Sequence, residues 1–241
     1  MSTPKNKSAG PIPKEQMEDL VAASLILARE GILDAFGHVS MRHPADSSRY
    51  LLSRNLAPEL VTAADIVEYD LDSEPVDPNA PRGFLERYIH GEIYKARPDV
   101  NSVIHSHPDH AVAVSTLGRP IRAWSQPSAL FVERVGWFTE TIDLIRRKDQ
   151  GAGVAKALGP HSVCMMKSHG VALAGGSIEE AVITGIMLEN ACRIQLLIEA
   201  AGNPQKEFPP DDLKLLQDKI TRPEQMVVNF EYLRRKVKRG R

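Results

Sequence analysis

The feature that most constrains the fold is the alternation of short strand-like segments with helical segments along nearly the whole chain of 241 residues. No internal repeat and no long linker interrupts this alternation, so the segments are expected to pack together as one sheet covered by helices. The sequence therefore predicts a single α/β domain over residues 14–241. Residues 1–13 are polar and proline-rich without an apolar period, which predicts a disordered leader.

Six short segments have the composition or alternation of strands. They are residues 36–42, 51–53, 64–70, 100–107, 163–167 and 171–174. Helical spacing of apolar residues begins near Lys14, and a second helix is predicted over residues 83–96. Ser177 and Glu180 form a capping box, in which each side chain satisfies a backbone N–H at the start of a long helix. Residues 118–151 give a mixed pattern.

Composition excludes several classes of function. Lys and Arg number 30 against 31 Asp and Glu, a net charge of −1, whereas nucleic-acid-binding proteins carry a positive excess. No run approaches the roughly 18 apolar residues of a membrane helix, so neither a nucleic acid nor a membrane is a predicted partner. Cys164 and Cys192 are too few for a disulfide framework and fit core positions in a cytoplasmic protein. Six of the last eight residues are basic, which is interpreted as a solvated C-terminal helix.

His105-Ser106-His107 carries the most specific chemistry in the sequence. Side chains repeat every second residue in a strand, so both imidazoles point to the same side, where they could chelate a metal ion. Two surface histidines at a strand-to-helix turn are the alternative. His169, beside Gly170 at the end of another predicted strand, would complete a three-imidazole site. A lone histidine at such a place is more often a hydrogen-bonded core or turn residue.

Glu86 is the fourth candidate, because it lies on the helix that leads into the histidine strand, on one face with His90. A carboxylate near a divalent cation can act as a ligand or as a proton carrier. A solvated helix glutamate is the alternative. His110 lies three residues after His107, and its side chain at a helix start would point elsewhere, so a structural role or a role behind the metal ligands is predicted for it.

These residues form one pattern: Glu86, residues 88–100, Val103-Ile104-His105-Ser106-His107, and Ser168-His169-Gly170. The pattern resembles the class II aldolase/adducin family over about residues 15–200. By that resemblance, His105, His107 and His169 hold a divalent ion (Mn or Zn, alternatively Co or Fe), and Glu86 serves as catalytic acid/base. The resemblance also implies a three-layer α/β/α fold with a mainly antiparallel central sheet, and a homotetramer or higher homo-oligomer with active sites between subunits.

The chain departs from the sugar-phosphate aldolases of that family where they bind phosphate. His38 stands where they have asparagine, and Phe84-Leu85 replaces a pair of serines. Hydroxyl donors to phosphate are lost, which predicts an unphosphorylated substrate. Arg54 could clamp a carboxylate with two parallel hydrogen bonds, and Phe84 could contact a ring. A surface salt bridge for Arg54 and a core position for Phe84 are the alternatives.

Residues 36–40 and 51–55, with Pro58, resemble a branch of the family that decarboxylates hydroxylated aromatic dicarboxylates. The resemblance implies a metal-dependent carboxy-lyase and a small acidic aromatic substrate such as 3-hydroxy-2-methylpyridine-4,5-dicarboxylate or 3,4-dihydroxyphthalate. The predicted substrate-binding residues are Ser53, Arg54, Asn55 and Phe84. Loss of CO₂ leaves a carbanion-like ring carbon, which Glu86 or His38 would protonate as the catalytic residue.

Two other functions stay open. An aldolase or epimerase acting on an unphosphorylated hydroxy-carbonyl compound would keep the metal site. A non-catalytic interaction module like the adducin head domain need not retain metal ligands. Because this chain has three histidines and Glu86 in the expected pattern, an enzyme is favoured over such a module.

Overall fold

The computed structural model describes residues 7–202, 206–220 and 222–239. Within them the strands are β1 (His38–Arg42), β2 (Arg49–Ser53), β3 (Ile66–Asp70), β4 (Ser102–Ser106), β5 (Val135–Phe138), β6 (Val163–Met166) and β7 (Gly170–Gly175). The helices are α1 (Lys14–Arg29), α2 (Tyr88–Ala96), α3 (Asp109–Leu117), α4 (Lys148–Leu158), α5 (Ile178–Ala200), α6 (Pro210–Ile220) and α7 (Pro223–Arg239).

The strands form a sheet with the order β3-β2-β1-β4-β7-β6-β5. In the described part of the chain, neighbouring strands are antiparallel except for β5 and β6, which run parallel. β4 lies in the middle, where His105 pairs with His38 of β1 on one side and with Ala172 of β7 on the other. The predicted, mainly antiparallel sheet is confirmed.

Helices cover both faces of this sheet. α1, α3, α5 and α7 pack on one face around strand residues such as Ile104 and Leu173, whereas α2 and α4 pack on the other face around Val103 and Ala172. Successive strand residues alternate between these two cores, as the pleat of a strand requires. His105 therefore shares a face with Val103, towards α2. The predicted three-layer α/β/α fold is confirmed.

α5 is the central helix of the first face. Ser177 Oγ accepts the Glu180 N–H at 3.2 Å, as the capping box predicts, but the Glu180 carboxylate accepts the N–H of Gly176 rather than that of Ser177. Among the described helices, α5 alone has the length and mean hydropathy, 1.4, to cross a membrane. Half of its apolar window is buried in the protein, and it packs against α1, α3 and β7. These contacts are those of a core helix.

The basic C-terminal segment forms the predicted helix, α7, which is solvated on one side only. Its apolar side, including Phe230, is buried on α1 and α5. Two of its basic side chains pair with acidic groups of the same chain: Arg234 Nη1 with Asp19 at 2.6 Å, and Lys236 Nζ with Glu30 at 2.7 Å. An amphipathic helix with a basic outer face explains the composition.

The predicted leader divides into two parts. Residues 1–6 lie outside the described residues. Residues 7–13 form no helix or strand, yet the Ala9 N–H donates to Glu68 Oε1 at 3.0 Å and Ile12 packs on the core. These contacts give this stretch a defined path beside β3.

The helix predicted over residues 83–96 begins later than expected. Phe84 is extended and precedes a short 3₁₀ turn, Leu85–Arg87, which continues into α2 at Tyr88. Gly83 lies directly under the hydroxyl of Tyr69, which a Cβ would strike. Tertiary packing at these two positions therefore overrides their local helical pattern.

Cys164 lies in β6 and Cys192 in α5, and both are unpaired and buried. Burial raises the pKa of each thiol to about 12. Both side chains belong to the core, as predicted, and both thiols are protonated at neutral pH.

Candidate metal centre

Four side chains from three separate parts of the chain meet at one end of β4. His105 lies in β4 and His107 directly follows it, His169 lies in the turn between β6 and β7, and Glu86 lies in the 3₁₀ turn before α2. One potential ligand atom of each lies within 4.8 Å of those of all the others. The structure thus brings together the four residues that the sequence singles out.

Hydrogen bonds on the outer side of two imidazoles determine where their protons lie. His105 Nδ1–H donates to the Val171 carbonyl oxygen at 3.1 Å, and His107 Nδ1–H donates to Asp34 Oδ2 at 3.1 Å. In its neutral form each ring has its lone pair on Nε2, and the two Nε2 atoms face each other at 3.2 Å. Burial, together with the neighbouring His105, lowers the pKa of His107 and favours this neutral form.

This convergence of lone pairs fits a cation. The two Nε2 atoms have no proton to share, and Glu86 Oε2 adds a third electron-pair donor 3.3 Å from His105 Nε2. A divalent transition metal accepts electron pairs from imidazoles and carboxylates together. Ligand histidines at such sites donate their other N–H to a carboxylate or carbonyl, as His107 and His105 do.

His169 is held in a tight turn. Ser168 has a left-handed φ of +55°, uncommon for a residue other than glycine, and its N–H donates to Ser115 Oγ at 3.1 Å. The imidazole of His169 is buried, and neither ring nitrogen has a hydrogen-bond partner among the described residues. Its Nε2 lies 3.3 Å from Glu86 Oε1. A buried, unsatisfied imidazole beside three other potential ligands is a second observation that fits a bound metal ion.

Glu86 lies between the imidazoles and a loop. Its Oε1 accepts the Ile145 N–H at 2.9 Å, while the two carboxylate oxygens approach His169 and His105. Burial alone would raise the pKa of Glu86, but the nearby rings of His105 and His169 and the hydrogen bond from the Ile145 N–H hold it well below its usual range. The carboxylate is therefore ionised at neutral pH, in the form that binds cations and accepts protons.

His38 lies beside this cluster. Its ring centroid is 4.3 Å from that of Phe84 and 5.4 Å from that of His105. Its Nδ1 is 2.7 Å from Nε2 of His90. Burial lowers the pKa of His38 well below its usual value, so the ring is neutral.

The contacts of His38 continue into the core. His90 Nδ1 is 2.6 Å from Ser40 Oγ, which in turn is 2.8 Å from the hydroxyl of Tyr94. Burial lowers the pKa of His90 to about 3 and raises that of Tyr94. A buried chain of four polar side chains therefore runs from the edge of the metal cluster into the layer between β1 and α2.

Arg54 forms a salt bridge and lies just after β2. Its Nε donates to Asp65 Oδ1 at 2.7 Å, which is the ion pair foreseen as the alternative. Ser40 of β1 pairs with Leu52 of β2, and Arg54 directly follows the last residue of β2. His38, also of β1, pairs with a metal-cluster residue of β4. Neighbouring strands lie about 4.8 Å apart, so Arg54 is two strands from the cluster.

The other predicted substrate-binding residues differ in exposure. Phe84 is 4% exposed and packs on His38, which is the core position foreseen as its alternative. Ser53 is buried at the end of β2, whereas Asn55 is exposed and its N–H donates to the Arg82 carbonyl oxygen at 2.9 Å. Phe84 thus packs against the ring of His38.

Sequence reasoning missed the groups that orient the cluster. Asp34 carries a usable signal, because an aspartate three residues before a glycine is typical of a turn. Its Oδ1 accepts the N–H groups of Phe36 at 2.9 Å and Gly37 at 2.7 Å, which leaves Oδ2 for His107. Ile145 acts through its backbone N–H, and side-chain type gives no signal for that.

His110 lies apart from the cluster. Its Nδ1 is 2.6 Å from Glu189 Oε1, and the same carboxylate accepts the backbone N–H groups of His110 and Ala111. Glu189 of α5 thus caps the start of α3, and His110 takes part in that contact. This is a structural role of the kind the sequence predicts.

Comparison with known proteins identifies the family. Residues 18–196 match the Class II Aldolase and Adducin N-terminal domain. The chain belongs to this family. The histidine and glutamate pattern that suggested the class II aldolase/adducin family therefore led to the correct assignment.

Two relatives and one solved structure represent the similarity. Decarboxylase tropJ of Talaromyces stipitatus is 37% identical over 189 residues, 70% of this chain and 71% of that protein. The 3,4-dihydroxyphthalate decarboxylase of a Terrabacter species is 33% identical over 211 residues, 81% of this chain and 86% of that protein. The crystal structure of an aldolase II superfamily protein from Pseudomonas syringae has a TM-score of 0.83 at 26% identity, covering 96% of this chain and 95% of its own.

Proposed function

We propose that the chain is a divalent-metal-dependent decarboxylase of a hydroxylated aromatic dicarboxylate, of the kind represented by 3-hydroxy-2-methylpyridine-4,5-dicarboxylate and 3,4-dihydroxyphthalate. The observation that carries the proposal is the convergence of three buried or half-buried imidazoles and one carboxylate within 4.8 Å. The similarity of this chain to two proteins named decarboxylases supports decarboxylation as the reaction class.

The metal would be held by His105, His107 and His169, with Glu86 as the fourth group. When bound, the ion would supply a Lewis acid that stabilises negative charge developing on an adjacent oxygen. The chain's own residues have two further tasks. They must bind the acidic substrate, and they must deliver a proton to the ring carbon that loses CO₂.

Glu86 and His38 are the two candidates for proton delivery. Glu86 is ionised at rest, so it would first accept a proton from an acidic group of the substrate, its ring hydroxyl, and would then release that proton to the carbanion-like carbon. His38 is neutral and adjoins the cluster through His105. Either position allows contact with a group bound at the cluster.

Arg54 supplies the proposed contact to the second carboxylate of the substrate. Asp65 engages the Nε of its guanidinium and thereby orients the planar group. A guanidinium binds a carboxylate through two parallel hydrogen bonds. Arg54 follows β2, and only β1 separates β2 from β4, which carries His105.

The proposed assembly is a cytoplasmic homotetramer or higher homo-oligomer with active sites between subunits. Phe36 and Ile142 support it, since these large apolar side chains are 70% and 73% exposed. Phe36 belongs to the turn made by Asp34, and Ile142 belongs to the segment that carries Ile145, so both lie on segments that contact the cluster. Light scattering of the purified protein measures the subunit number, and Phe36→Ser should reduce it.

The decisive assay uses protein loaded with Zn²⁺ or Mn²⁺ and each dicarboxylate in turn, with ¹³C in the carboxyl groups. Decarboxylation gives ¹³CO₂ and one monocarboxylate product. Release of an aldehyde from an unphosphorylated hydroxy-carbonyl compound, without CO₂, would instead identify an aldolase. His105→Ala and His169→Ala should each abolish metal binding and turnover, and turnover by a metal-free variant would overturn the metal dependence.

A further inference from the structure

A buried row of hydrogen-bonded side chains behind His38 indicates which of two roles His38 has: it can donate a hydrogen bond to the substrate or a proton to the product. Three hydrogen bonds link His38, His90, Ser40 and Tyr94 in that order. The four residues are nearly or completely buried, so each polar atom depends on its neighbour in the chain. In such a chain the position of one proton fixes the positions of the next.

The bond lengths give the direction of donation. Ser40 Oγ lies 2.6 Å from His90 Nδ1, 2.8 Å from the Tyr94 hydroxyl and 3.4 Å from the Val103 carbonyl oxygen. A separation of 2.6 Å is usual when a hydroxyl donates and short for an N–H donor, whereas 3.4 Å is long for any donor. Ser40 therefore donates to His90, and the Tyr94 hydroxyl donates to Ser40.

The remaining protons follow from this direction. His90 accepts at Nδ1, so its own proton lies on Nε2. Two N–H groups cannot face each other across the 2.7 Å that separates His90 Nε2 from His38 Nδ1. His38 therefore accepts at Nδ1, and its single proton lies on Nε2.

We propose that Ser40 and His90 fix His38 as a neutral imidazole with its proton on Nε2, so that His38 donates a hydrogen bond to an anionic oxygen of the substrate and does not protonate the product. This inference rests on the proposed function. Ser40 and His90 are positioning residues. If His38 gave up its Nε2 proton, it would become an imidazolate. Replacing that proton from Tyr94, through Ser40 and His90, would leave a buried Tyr94 anion. Proton delivery to the ring carbon then falls to Glu86.

The tautomer is measured directly, without substrate. Protein labelled with ¹⁵N-histidine and loaded with Zn²⁺ is examined by NMR at neutral pH, and the signals of His38 are assigned by their loss in His38→Gln. The expected result is a protonated Nε2 and an unprotonated Nδ1 on His38. A proton on Nδ1, or on both nitrogens, would overturn the inference. Because no turnover is involved, this outcome is separate from the fate of the decarboxylase proposal.

Kinetics test the consequence in the full-length, metal-loaded enzyme. Ser40→Ala removes the donor to His90, so His38 can place its lone pair towards the substrate oxygen. We expect KM for the dicarboxylate to rise about tenfold or more, the loss of one hydrogen bond to a charged group, with little change in kcat. Ser40→Thr retains the hydroxyl and should restore KM. A fall in kcat with an unchanged KM would contradict the assignment of His38 as a binding group.

Ser102→Ala is the matched control. Ser102 is as buried as Ser40, and its hydroxyl donates to the Ser40 carbonyl oxygen at 2.9 Å. It does not belong to the row of hydrogen-bonded side chains that ends at His38. It removes an equally buried serine hydroxyl from the neighbouring strand β4. KM should stay at the wild-type value in this variant even if the protein loses stability. An equal rise in KM in both variants would mean that general loosening of the sheet, and not the tautomer, causes the effect.

Discussion

Asp34→Asn should weaken metal binding although Asp34 is not one of the four clustered residues. Asp34 Oδ1 accepts the backbone N–H groups of Phe36 and Gly37, and Oδ2 accepts the proton on His107 Nδ1. An asparagine keeps its oxygen on the two backbone donors, so its NH₂ group faces His107. The imidazole must then accept at Nδ1 and carry its proton on Nε2, the nitrogen that faces the cluster.

The size of the effect follows from the hydrogen bond that this substitution removes. Deleting a hydrogen-bond partner behind a metal-ligating histidine weakens metal affinity by about 10- to 100-fold. This corresponds to about 1.4–2.7 kcal/mol of binding free energy. Asp34 is about half exposed, so the lower end of that range is expected.

The assay is isothermal titration of metal-free protein with Zn²⁺ in the presence of a competing chelator. Asp77→Asn is the control, because Asp77 Oδ1 accepts the Asn79 N–H at 2.8 Å in another exposed turn, and its hydrogen bonds among the described residues stay within that turn. Asp77→Asn should bind Zn²⁺ as the wild type does. Wild-type affinity in Asp34→Asn as well would refute the idea that the Asp34 carboxylate fixes the tautomer of His107.

Three further predictions concern the two sides of the site. Arg54→Gln should raise KM for a dicarboxylate more than it lowers kcat, and an unchanged KM would exclude the carboxylate clamp. Hydrogen bonds from Thr62 and Arg54 lower the pKa of Asp65 to about 2. The ionised carboxylate therefore stabilises the fold fully above its ordinary pKa of 3.8, and this stabilisation is lost as the pH falls through about 2. A ¹³C NMR titration should show that pKa in the wild type and a higher pKa of Asp65 in Arg54→Gln. Gly170→Ala would place a methyl group 2.8 Å from His107 Cδ2 and against the backbone of β4. Calorimetry should show a loss of about 1–3 kcal/mol in the free energy of unfolding, and Zn²⁺ binding should weaken. A fully stable variant would show that the turn adapts to the methyl group.

Half of the candidate metal site, His105 and His107, was predictable from local geometry. The alternation of side chains in a strand puts His105 and His107 on one side, whatever surrounds β4. The family pattern added Glu86 and His169, which lie far along the chain and which spacing alone would not bring together. The layered fold followed from the alternation of segments in the same way.

The surroundings of the site depend on tertiary contacts that a sequence does not show. Phe84 faces the ring of His38 because residues 83–84 leave the helical path, and that path is set by packing under Tyr69. The partner of Arg54 depends on a 3₁₀ turn that brings Asp65 beside it. For both Phe84 and Arg54, the residue type allowed two roles. Only the distance from each side chain to a neighbour in another segment tells which role it has.

The four clustered residues also relate metal supply to the lifetime of the protein. They stand at positions 86, 105, 107 and 169, separated by intervals of 19, 2 and 62 residues. A divalent ion held there would be a removable cross-link between distant parts of the chain that forms only in the folded state. At a free metal concentration about 100 times Kd, such binding adds about 2.7 kcal/mol to the free energy of unfolding. Chains made under metal starvation would therefore be the ones that unfold and are degraded first, so the amount of enzyme, and not only its activity, would follow the metal content of the cell.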